Sequence, residues 1–426
     1  MGAGRQGGIM RSARNLLLGA CAAVALVVSA CGTPPAPDSG RYVNAQTGVD
    51  SGTCSKKASP CLTITYAVSQ AVAGETVHVG PGTYAEMVIV DKPLVFEGNN
   101  KGRKIGTTTT PRVAESTVKG FRTPGEPHPT SVGEFNVTVD GFTIDPQGDA
   151  ALLSAPTHHL VGLFGGTSVS VRNNIFNGGP WTPDCGYDCT AMTDAAVMVM
   201  SGTYEIRDNA FSNFRTMIDV TQFDASNPVV SATVRDNAIT HVTNRAIWIN
   251  EYQGGPFPNT VTIQNNTLDA AGWTSPTWSP AGLVITSGGN TIQGNAVSNF
   301  GSGVFNQVCD GTNVASVPNT FTGNTFAGNR SGIQLYVAGA CGATTVTPTI
   351  TNNNFDGGTW SGAGLVDVAK IGVRWNGAAR PNDVTAECNF WGDAAGPNTP
   401  GASTTTAGVD FDPWNVAAGG ACTGTA

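Results

Sequence analysis

A short pattern of apolar and polar positions recurs through the middle and later parts of the chain. In each copy an apolar residue is followed by two variable residues, an asparagine, one further residue and a second apolar residue. The asparagines of the seven copies are Asn174, Asn209, Asn237, Asn266, Asn295, Asn324 and Asn353. From Asn209 onward they lie 28 or 29 residues apart, and a fixed period of this length is typical of a solenoid.

A second run of alternating apolar residues lies between successive copies. These runs begin at Ala196, Met217, Ala246, Gly282, Gly303 and Gly332. Short segments rich in β-branched residues and bounded by Gly, Asn and Thr indicate strands. Each repeat therefore predicts at least two strands that pair with the same strands of the next coil. We expect the recurring asparagine at a corner, in the left-handed backbone conformation that Asn tolerates, with its amide bonded to the next coil's asparagine.

These repeats resemble the right-handed parallel β-helix superfamily, also called pectate-lyase-like. The resemblance extends upstream to a helix-like segment, Leu62–Ala73, and to Gly74–Glu86, which is similar to the opening of secreted β-helix proteins. Downstream, Cys388-Asn-Phe-Trp-Gly and Val409–Trp414 resemble the closing coil of bacterial surface β-helices. The resemblance implies an all-β fold, a right-handed parallel β-helix solenoid with a short N-terminal capping helix.

The motifs of the superfamily's known enzymes are missing from this sequence. Gly82-x-Tyr84-x-Glu86 resembles the signature of pectin methylesterases, but that family's paired-Asp and Gln motifs do not follow it. No polygalacturonase-like, alginate-epimerase-like or calcium-binding pectate-lyase-like motif occurs either. The resemblance therefore implies a fold and a shared first coil, without an activity.

The first thirty residues carry three arginines and no acidic residue, followed by an apolar run. That run of about fifteen residues has signal-peptide length and is short of the roughly 20 needed to cross a bilayer. It ends in Val28-Ser-Ala-Cys31, which resembles the lipobox of bacterial lipoproteins and implies cleavage before a lipid-modified Cys31. An ordinary secretory signal with an incidental cysteine is the alternative. The expected parts are a signal peptide over 1–30, a flexible tether over 31–41, one β-helix domain over 42–416 with its cap and first coil over 42–86, and a tail over 417–426 stapled by Cys422.

Composition narrows the class of protein further. Only 12% of the residues are charged while 40% are hydrophobic, which argues against a helical bundle and against wholesale disorder. The net charge of −8 excludes the basic surface of a nucleic-acid binder. We expect a monomer in the bacterial cell envelope, anchored to a membrane by lipid, with its folded domain outside the cytoplasm.

Eight cysteines remain beyond the leader and Cys31. An even number in an exported chain suggests disulfides, although eight cysteines allow 105 pairings. No CxxC pattern supports a zinc site. No cofactor is expected, and calcium is left open although no motif indicates it. We predict the pairs Cys54–Cys61, Cys185–Cys189, Cys309–Cys341 and Cys388–Cys422.

Alternation also predicts which residues of the repeats face solvent. If Val197, Ile218 and their counterparts point inward, the residue after each points outward. Aromatic rings stack on sugar faces and amides bond to hydroxyls, so we expect a polysaccharide to bind here, beside the loop Trp273–Trp278. The predicted ligand residues are Asp219, Trp248, Asn250, Glu251, Phe305, Gln307, Gln334 and Tyr336. Ordinary strand residues on an exposed sheet are the alternative interpretation.

Three functions stay open. The chain binds polysaccharide or another envelope macromolecule without chemistry, or it is a polysaccharide lyase, hydrolase or epimerase, or it is a structural or adhesive envelope protein. Asp219 and Glu251 are the nearest carboxyl pair and the candidate catalytic residues, but they lie three positions out of register on neighbouring coils. Asp194 lines up with Arg215 on the next coil, where an ion pair is expected.

Overall fold

The computed structural model describes residues 40–425 apart from fourteen gaps. The gaps are 125–134, 155–158, 165, 184–191, 201, 223–228, 252–259, 274–278, 310–316, 338–346, 357–370, 377–383, 400–401 and 406–408. The predicted lipid site Cys31 and the cysteines Cys185, Cys189 and Cys341 lie outside the described residues, as does most of the loop after Trp273.

Parallel strands stacked one coil above the next build the described part of the chain. One sheet of eleven strands forms the surface that we call the first face. A second sheet of seventeen strands covers two further surfaces, the second and third faces. The strand Ala210–Gln222 shows how it does so, because its first half pairs with Ile175–Asn177 and its second half pairs with Ala195–Val199. The predicted parallel β-helix is confirmed.

The strand bounds show how regular the stack is. The first face contains Gly40–Val43, Thr76–Val79, Leu94–Glu97, Phe135–Asp140, Gly166–Arg172, Gly202–Arg207, Val229–Arg235, Thr260–Gln264, Thr291–Gln293, Thr320–Thr322 and Thr349–Thr351. The second and third faces contain Gly82–Ile89, Ser116–Arg122, Thr143–Ile144, His159–Gly162, Ile175–Asn177, Ala195–Val199, Ala210–Gln222, Ala238–Glu251, Thr267–Asp269, Ala281–Ile285, Ala296–Ser298, Ser302–Cys309, Thr325–Ala327, Ser331–Val337, Asn354–Phe355, Ile371–Asn376 and Thr404–Thr405. Near the C-terminus, Val384–Thr385 pairs with Val409–Asp410, and Trp414–Asn415 pairs with Cys422–Gly424.

A ladder of buried asparagines joins the coils at the corner between the first and second faces. Asn266 Nδ2 donates to Asn295 Oδ1 at 2.9 Å, and Asn266 Oδ1 accepts from Asn237 Nδ2 at 2.9 Å. Its members are Asn174, Asn209, Asn237, Asn266, Asn295, Asn324, Asn353 and Asn389. The predicted amide ladder is confirmed, and Asn389 of the closing coil extends it by one member.

The expected left-handed conformation of the ladder asparagines is wrong by one residue. The positive φ belongs to the residue before each of them, with values between 55° and 65°. These residues are Asn173, Asp208, Asp236, Asn265, Gly294, Gly323, Asn352 and Cys388. The reason is that the preceding residue adopts the left-handed conformation of the turn. The chain therefore turns before the ladder asparagine, whose side chain then points into the interior.

A short helix, Ile64–Gln70, packs on the first coil through Ile64, Ala67 and Val68. It is shorter than the predicted segment Leu62–Ala73, and Val72 is 60% exposed. The Glu86 carboxylate accepts hydrogen bonds from the backbone N–H of Ile64 at 3.0 Å and from that of Thr65 at 2.8 Å, satisfying two helix N-terminal donors. The predicted capping helix is confirmed.

Glu86 and Tyr84 of the esterase-like signature have structural partners. The Tyr84 hydroxyl accepts from the backbone N–H of Ala45 at 3.1 Å and donates to the carbonyl of Gly80 at 2.9 Å. Burial raises the pKa of Tyr84 to about 12. The signature therefore fastens the cap to the first coil.

Two of the predicted disulfides are present, Cys54–Cys61 and Cys388–Cys422. They indicate that the folded chain is located in an oxidising, extracytoplasmic compartment. Cys309 ends its strand opposite Val337 of the next coil.

Among the described residues, no helix combines the length and the apolar character that a membrane crossing requires.

Candidate functional site

The third face carries one inward and one outward column of side chains. The inward members are fully buried and are Val197, Ile218, Ile247, Leu283, Val304 and Ile333. Each pairs in register with the next along the stack. The outward column follows one residue later, as Met198, Asp219, Trp248, Val284, Phe305 and Gln334. The predicted alternation is confirmed for the outward column except at Asp219, which is buried and does not face solvent as predicted.

Two aromatic rings and several amides meet toward the later coils. The rings of Phe305 and Tyr336 have centroids 5.2 Å apart and planes inclined by 33°. Gln307 pairs in register with Tyr336, and Gln334 Oε1 accepts from Ser302 Oγ at 2.8 Å. These side chains are half-buried, so part of each ring and amide still faces solvent.

Asn250 and Glu251 occupy the end of the strand Ala238–Glu251. Asn250 Oδ1 accepts from Thr286 Oγ1 of the next coil at 3.2 Å. The backbone of Glu251 pairs with Gln222, three positions along the strand from Asp219. The predicted offset between Asp219 and Glu251 is therefore observed, and it leaves them poorly placed as a pair.

Trp248 is engaged by a cation on its own strand. The Arg245 guanidinium carbon lies 3.8 Å from the Trp248 ring centroid, within the range of a cation–π interaction. The indole N–H is buried and has no hydrogen-bond partner among the described residues. One ring face of Trp248 is therefore already covered, so the residue presents less stacking surface than the sequence suggests.

Asp219 is a buried carboxylic acid, with only 8% of the residue exposed. In register it lies between Met198 on one coil and Trp248 on the next. Burial, together with the nearby charge of Asp194, raises the pKa of Asp219 to about 7, against a hydrogen bond from the Thr221 hydroxyl and the charge of Arg245. Asp219 thus holds its proton close to neutral pH.

Asp194 lies on the preceding coil, one residue before the strand Ala195–Val199. Its Oδ1 is 3.2 Å from Nη1 of Arg215, and the two side chains are 26% and 12% exposed. The predicted ion pair is confirmed, in a more enclosed setting than an ordinary surface pair. Burial raises the pKa of Asp194 to about 6, while the charges of Arg215 and Arg245 oppose that rise.

Sequence reasoning missed the relation between Asp194 and Asp219. Three successive coils supply the group, because Ala195 pairs with Thr216 and Thr216 pairs with Arg245. Arg245 acts electrostatically on both carboxyls. The sequence carried no plain signal for this relation, because Arg245 pairs in register with Thr216 and not with Arg215. We call Asp194, Arg215, Asp219 and Arg245 the carboxyl–arginine cluster.

The strand residues before Arg245 carry buried polar atoms. Thr243 Oγ1 and Asn244 Oδ1 are buried and have no hydrogen-bond partner among the described residues. The ring of Trp181 lies 4.8 Å from that of His241. Trp273, which begins the loop predicted beside the site, is buried.

A resident metal centre has no ready set of ligands in this region. No group of three or more His, Cys, Asp or Glu side chains among the residues that the structure describes is arranged to hold a metal ion.

Fold and site together define a parallel β-helix protein with a polar, ring-bearing outer face. A family model described as right handed beta helix region matches residues 194–373. A second, described as protein of unknown function (DUF1565), matches residues 46–273. This match spans more than half of the chain, which belongs to the DUF1565 family. No curated protein sequence matches the chain.

Several solved structures are similar in overall coil arrangement. XylC in complex with xylose is 12% identical, with 82% of this chain and 69% of that chain covered and a TM-score of 0.40. The catalytic domain of a GH87 α-1,3-glucanase in complex with nigerose is 10% identical, with 88% and 69% covered and a TM-score of 0.38. GH136 lacto-N-biosidase from Eubacterium ramulus is 11% identical, with 70% and 65% covered and a TM-score of 0.25. At these values no residue role transfers to this chain.

Proposed function

We propose that the protein binds a polysaccharide along its third face, at the surface of a bacterial membrane to which lipid on Cys31 attaches it. The observation that carries this proposal is the Phe305–Tyr336 ring pair, half-buried on the outward side of adjacent coils. Partly exposed rings inclined toward one another offer apolar surface to the faces of sugar rings. The amides of Gln307 and Gln334 lie on the same two strands and can bond to hydroxyl groups.

The dimensions of the face suit a chain-like ligand. The outward column runs from Asp219 through Trp248 and Phe305 to Gln334 over four coil steps, or about 19 Å at strand spacing. The rings lie at one end of this row and the carboxyl–arginine cluster at the other. A linear glycan laid along the stack would therefore contact rings, amides and charged groups in succession.

A glycan array probed with the full-length chain in detergent tests this proposal. We expect binding to one class of polysaccharide, and a Phe305→Ala/Tyr336→Ala double variant should lose about tenfold in affinity, because ring stacking contributes on the order of 1 kcal/mol. Thr320→Ala/Thr349→Ala on the first face is the matched control and should bind as the wild type does. Equal affinity of the wild type and the ring variant would contradict the site, and absence of all glycan binding would contradict the function.

A further inference from the structure

We propose that the N-terminal end of the β-helix docks on an anionic lipid surface, so that the first coils rest on the membrane and the later coils are held away from it. This inference rests on the proposed function only for the location of the chain at a membrane. It adds a second surface, with a lipid partner, to the glycan-binding third face.

The first support is the distribution of charge along the stack. Residues 40–124, which build the first coils, carry ten Lys and Arg against six Asp and Glu, a net charge of +4. Residues 125–426 carry nine Lys and Arg against 23 Asp and Glu, a net charge of −14. The two parts of the chain therefore bear opposite charge, and an anionic surface attracts the first coils while it repels the later ones.

The second support is that exposed apolar side chains concentrate in the same part of the chain. Among the described residues, seven large hydrophobic side chains are exposed, and five of them belong to residues 40–124. These five are Val49, Leu62, Val72, Ile89 and Val113. Apolar side chains beside basic ones are typical of segments that lie in the headgroup region of a bilayer.

The disulfide loop Cys54–Cys61 forms the outermost layer at this end of the stack. Both ends of the loop bond to the outer edge of the first strand, since the backbone N–H of Tyr42 donates to Cys54 O at 2.9 Å and that of Cys61 donates to Tyr42 O at 2.8 Å. Lys56 and Lys57 lie in this loop and are exposed. The loop therefore presents two ammonium groups beyond the last strand of the stack.

The capping helix adds apolar residues to the same end. Its buried side packs on the first coil. The exposed residues of its other side, at intervals of three or four positions, are Leu62, Thr65, Ser69 and Val72. Val49 lies beside this segment, because its backbone N–H donates to Pro60 O at 3.0 Å. We give the name cap surface to Val49, Lys56, Lys57, Leu62 and Val72.

The chain enters the fold at this end, close in sequence to the predicted lipid site. Gly40 begins the first strand and follows Cys31 by nine residues, which span at most about 30 Å. The first face has eleven strands, so its last strand lies about 48 Å farther along the stack at strand spacing. Lipid on Cys31 would therefore keep the cap surface closer to the bilayer than any later coil.

Vesicles that differ in charge test this docking. The full chain, purified in detergent, is reconstituted with brominated phosphatidylcholine alone or mixed with phosphatidylglycerol. Val72→Trp places a fluorescent ring on the cap surface, whereas the eight native tryptophans all follow residue 180. We expect the anionic vesicles to quench the added tryptophan and to protect Lys56 and Lys57 from a water-soluble amine reagent. The neutral vesicles should do neither.

Two variants and salt make the test specific. Val317→Trp is the matched control and should not be quenched, because Val317 is 53% exposed, close to the 60% of Val72, and lies in the later coils. Lys56→Gln/Lys57→Gln in the Val72→Trp chain should lower the ratio of docked to undocked protein about 30-fold, because each lysine near an anionic surface contributes about fivefold. About 1 M salt should abolish the quenching, because the Debye length falls to about 3 Å.

The outcomes separate the docking from the anchor. Equal quenching on both kinds of vesicle, or unchanged quenching in the lysine variant, overturns the docking and leaves the anchor intact. Docking on anionic vesicles without retention on neutral ones supports the cap surface and contradicts the anchor, while retention on neither overturns both. Lysine protection that follows protein concentration and not lipid assigns the cap surface to the acidic coils of a second copy and overturns the proposal. The glycan array tests the third face independently.

Discussion

Replacing one ladder asparagine by alanine tests how the coils are held together. Asn266 lies in the middle of the ladder, and its side chain takes part in four hydrogen bonds. Its Oδ1 accepts from the backbone N–H and from Nδ2 of Asn237, while its Nδ2 donates to Val234 O and to Asn295 Oδ1. Asn266→Ala removes all four at once from a buried position.

The magnitude follows from the groups left without partners. The backbone N–H of Asn237 loses the acceptor shown for it, and one hydrogen of Asn237 Nδ2 loses its acceptor as well. Asn295 Oδ1 still accepts from the backbone N–H of residue 266, so it keeps a hydrogen-bond partner. Two buried donors at about 1–3 kcal/mol each lower the free energy of unfolding by about 2–6 kcal/mol.

Urea unfolding followed by circular dichroism measures this loss, with hydrogen exchange on peptides that contain Asn237 as a local reading. Gln264→Ala is the control, since Gln264 lies on the same coil but faces outward on the first face, and it should change stability by about 0.5 kcal/mol or less. A loss below about 1 kcal/mol for Asn266→Ala, or an equal loss in the control, would refute the ladder as the main polar tie between coils.

Three further predictions address charge, anchoring and disulfides. Because the pKa of Asp219 rises from 3.8 to about 7 on folding, unfolding releases a proton and stability falls as pH rises through that window. Asp219→Asn should therefore raise the melting temperature more at about pH 8 than at about pH 4, and an equal change at both would contradict the raised pKa. Labelled palmitate should enter the protein in growing cells and be lost in Cys31→Ala, whereas unchanged labelling would remove the anchor. Peptide mapping without reduction should find Cys309 bonded to Cys341, and a free Cys309 would contradict that pairing.

The repeat and its register could be predicted from sequence because they depend on local periodicity. The spacing of Asn237, Asn266 and Asn295 predicts which residues stack, and the structure places them in one hydrogen-bonded column. The conformation of the corner could not be predicted as well. A left-handed turn suits Asp236 and Asn265 no less than the asparagine that follows, and only the direction of the side chain decides between them.

The carboxyl–arginine cluster could not be predicted from the sequence, for a different reason. Met217 and Ile218 are consecutive and both fully buried, so strict alternation fails just where the second face turns into the third. Alternation extended from the inward column therefore does not predict the side-chain directions of Asp194 and Arg215. The burial of Asp219 depends on Met198 and Trp248 of the flanking coils, which is a property of the stack and not of any one repeat.

The asparagine ladder also makes the coils interchangeable units of length. Since each member contacts the next through the same pair of atoms, a coil removed whole leaves no mismatch at the joint: without residues 267–295, Asn266 would meet Asn324 as its neighbour. On the outer face the same excision would bring Trp248 against Phe305, because Val284 is the residue that separates them. Insertion or deletion of a whole coil can thus lengthen or shorten the surface while the interior stays unchanged. The distance between the rings and the carboxyls would then change in steps of one coil.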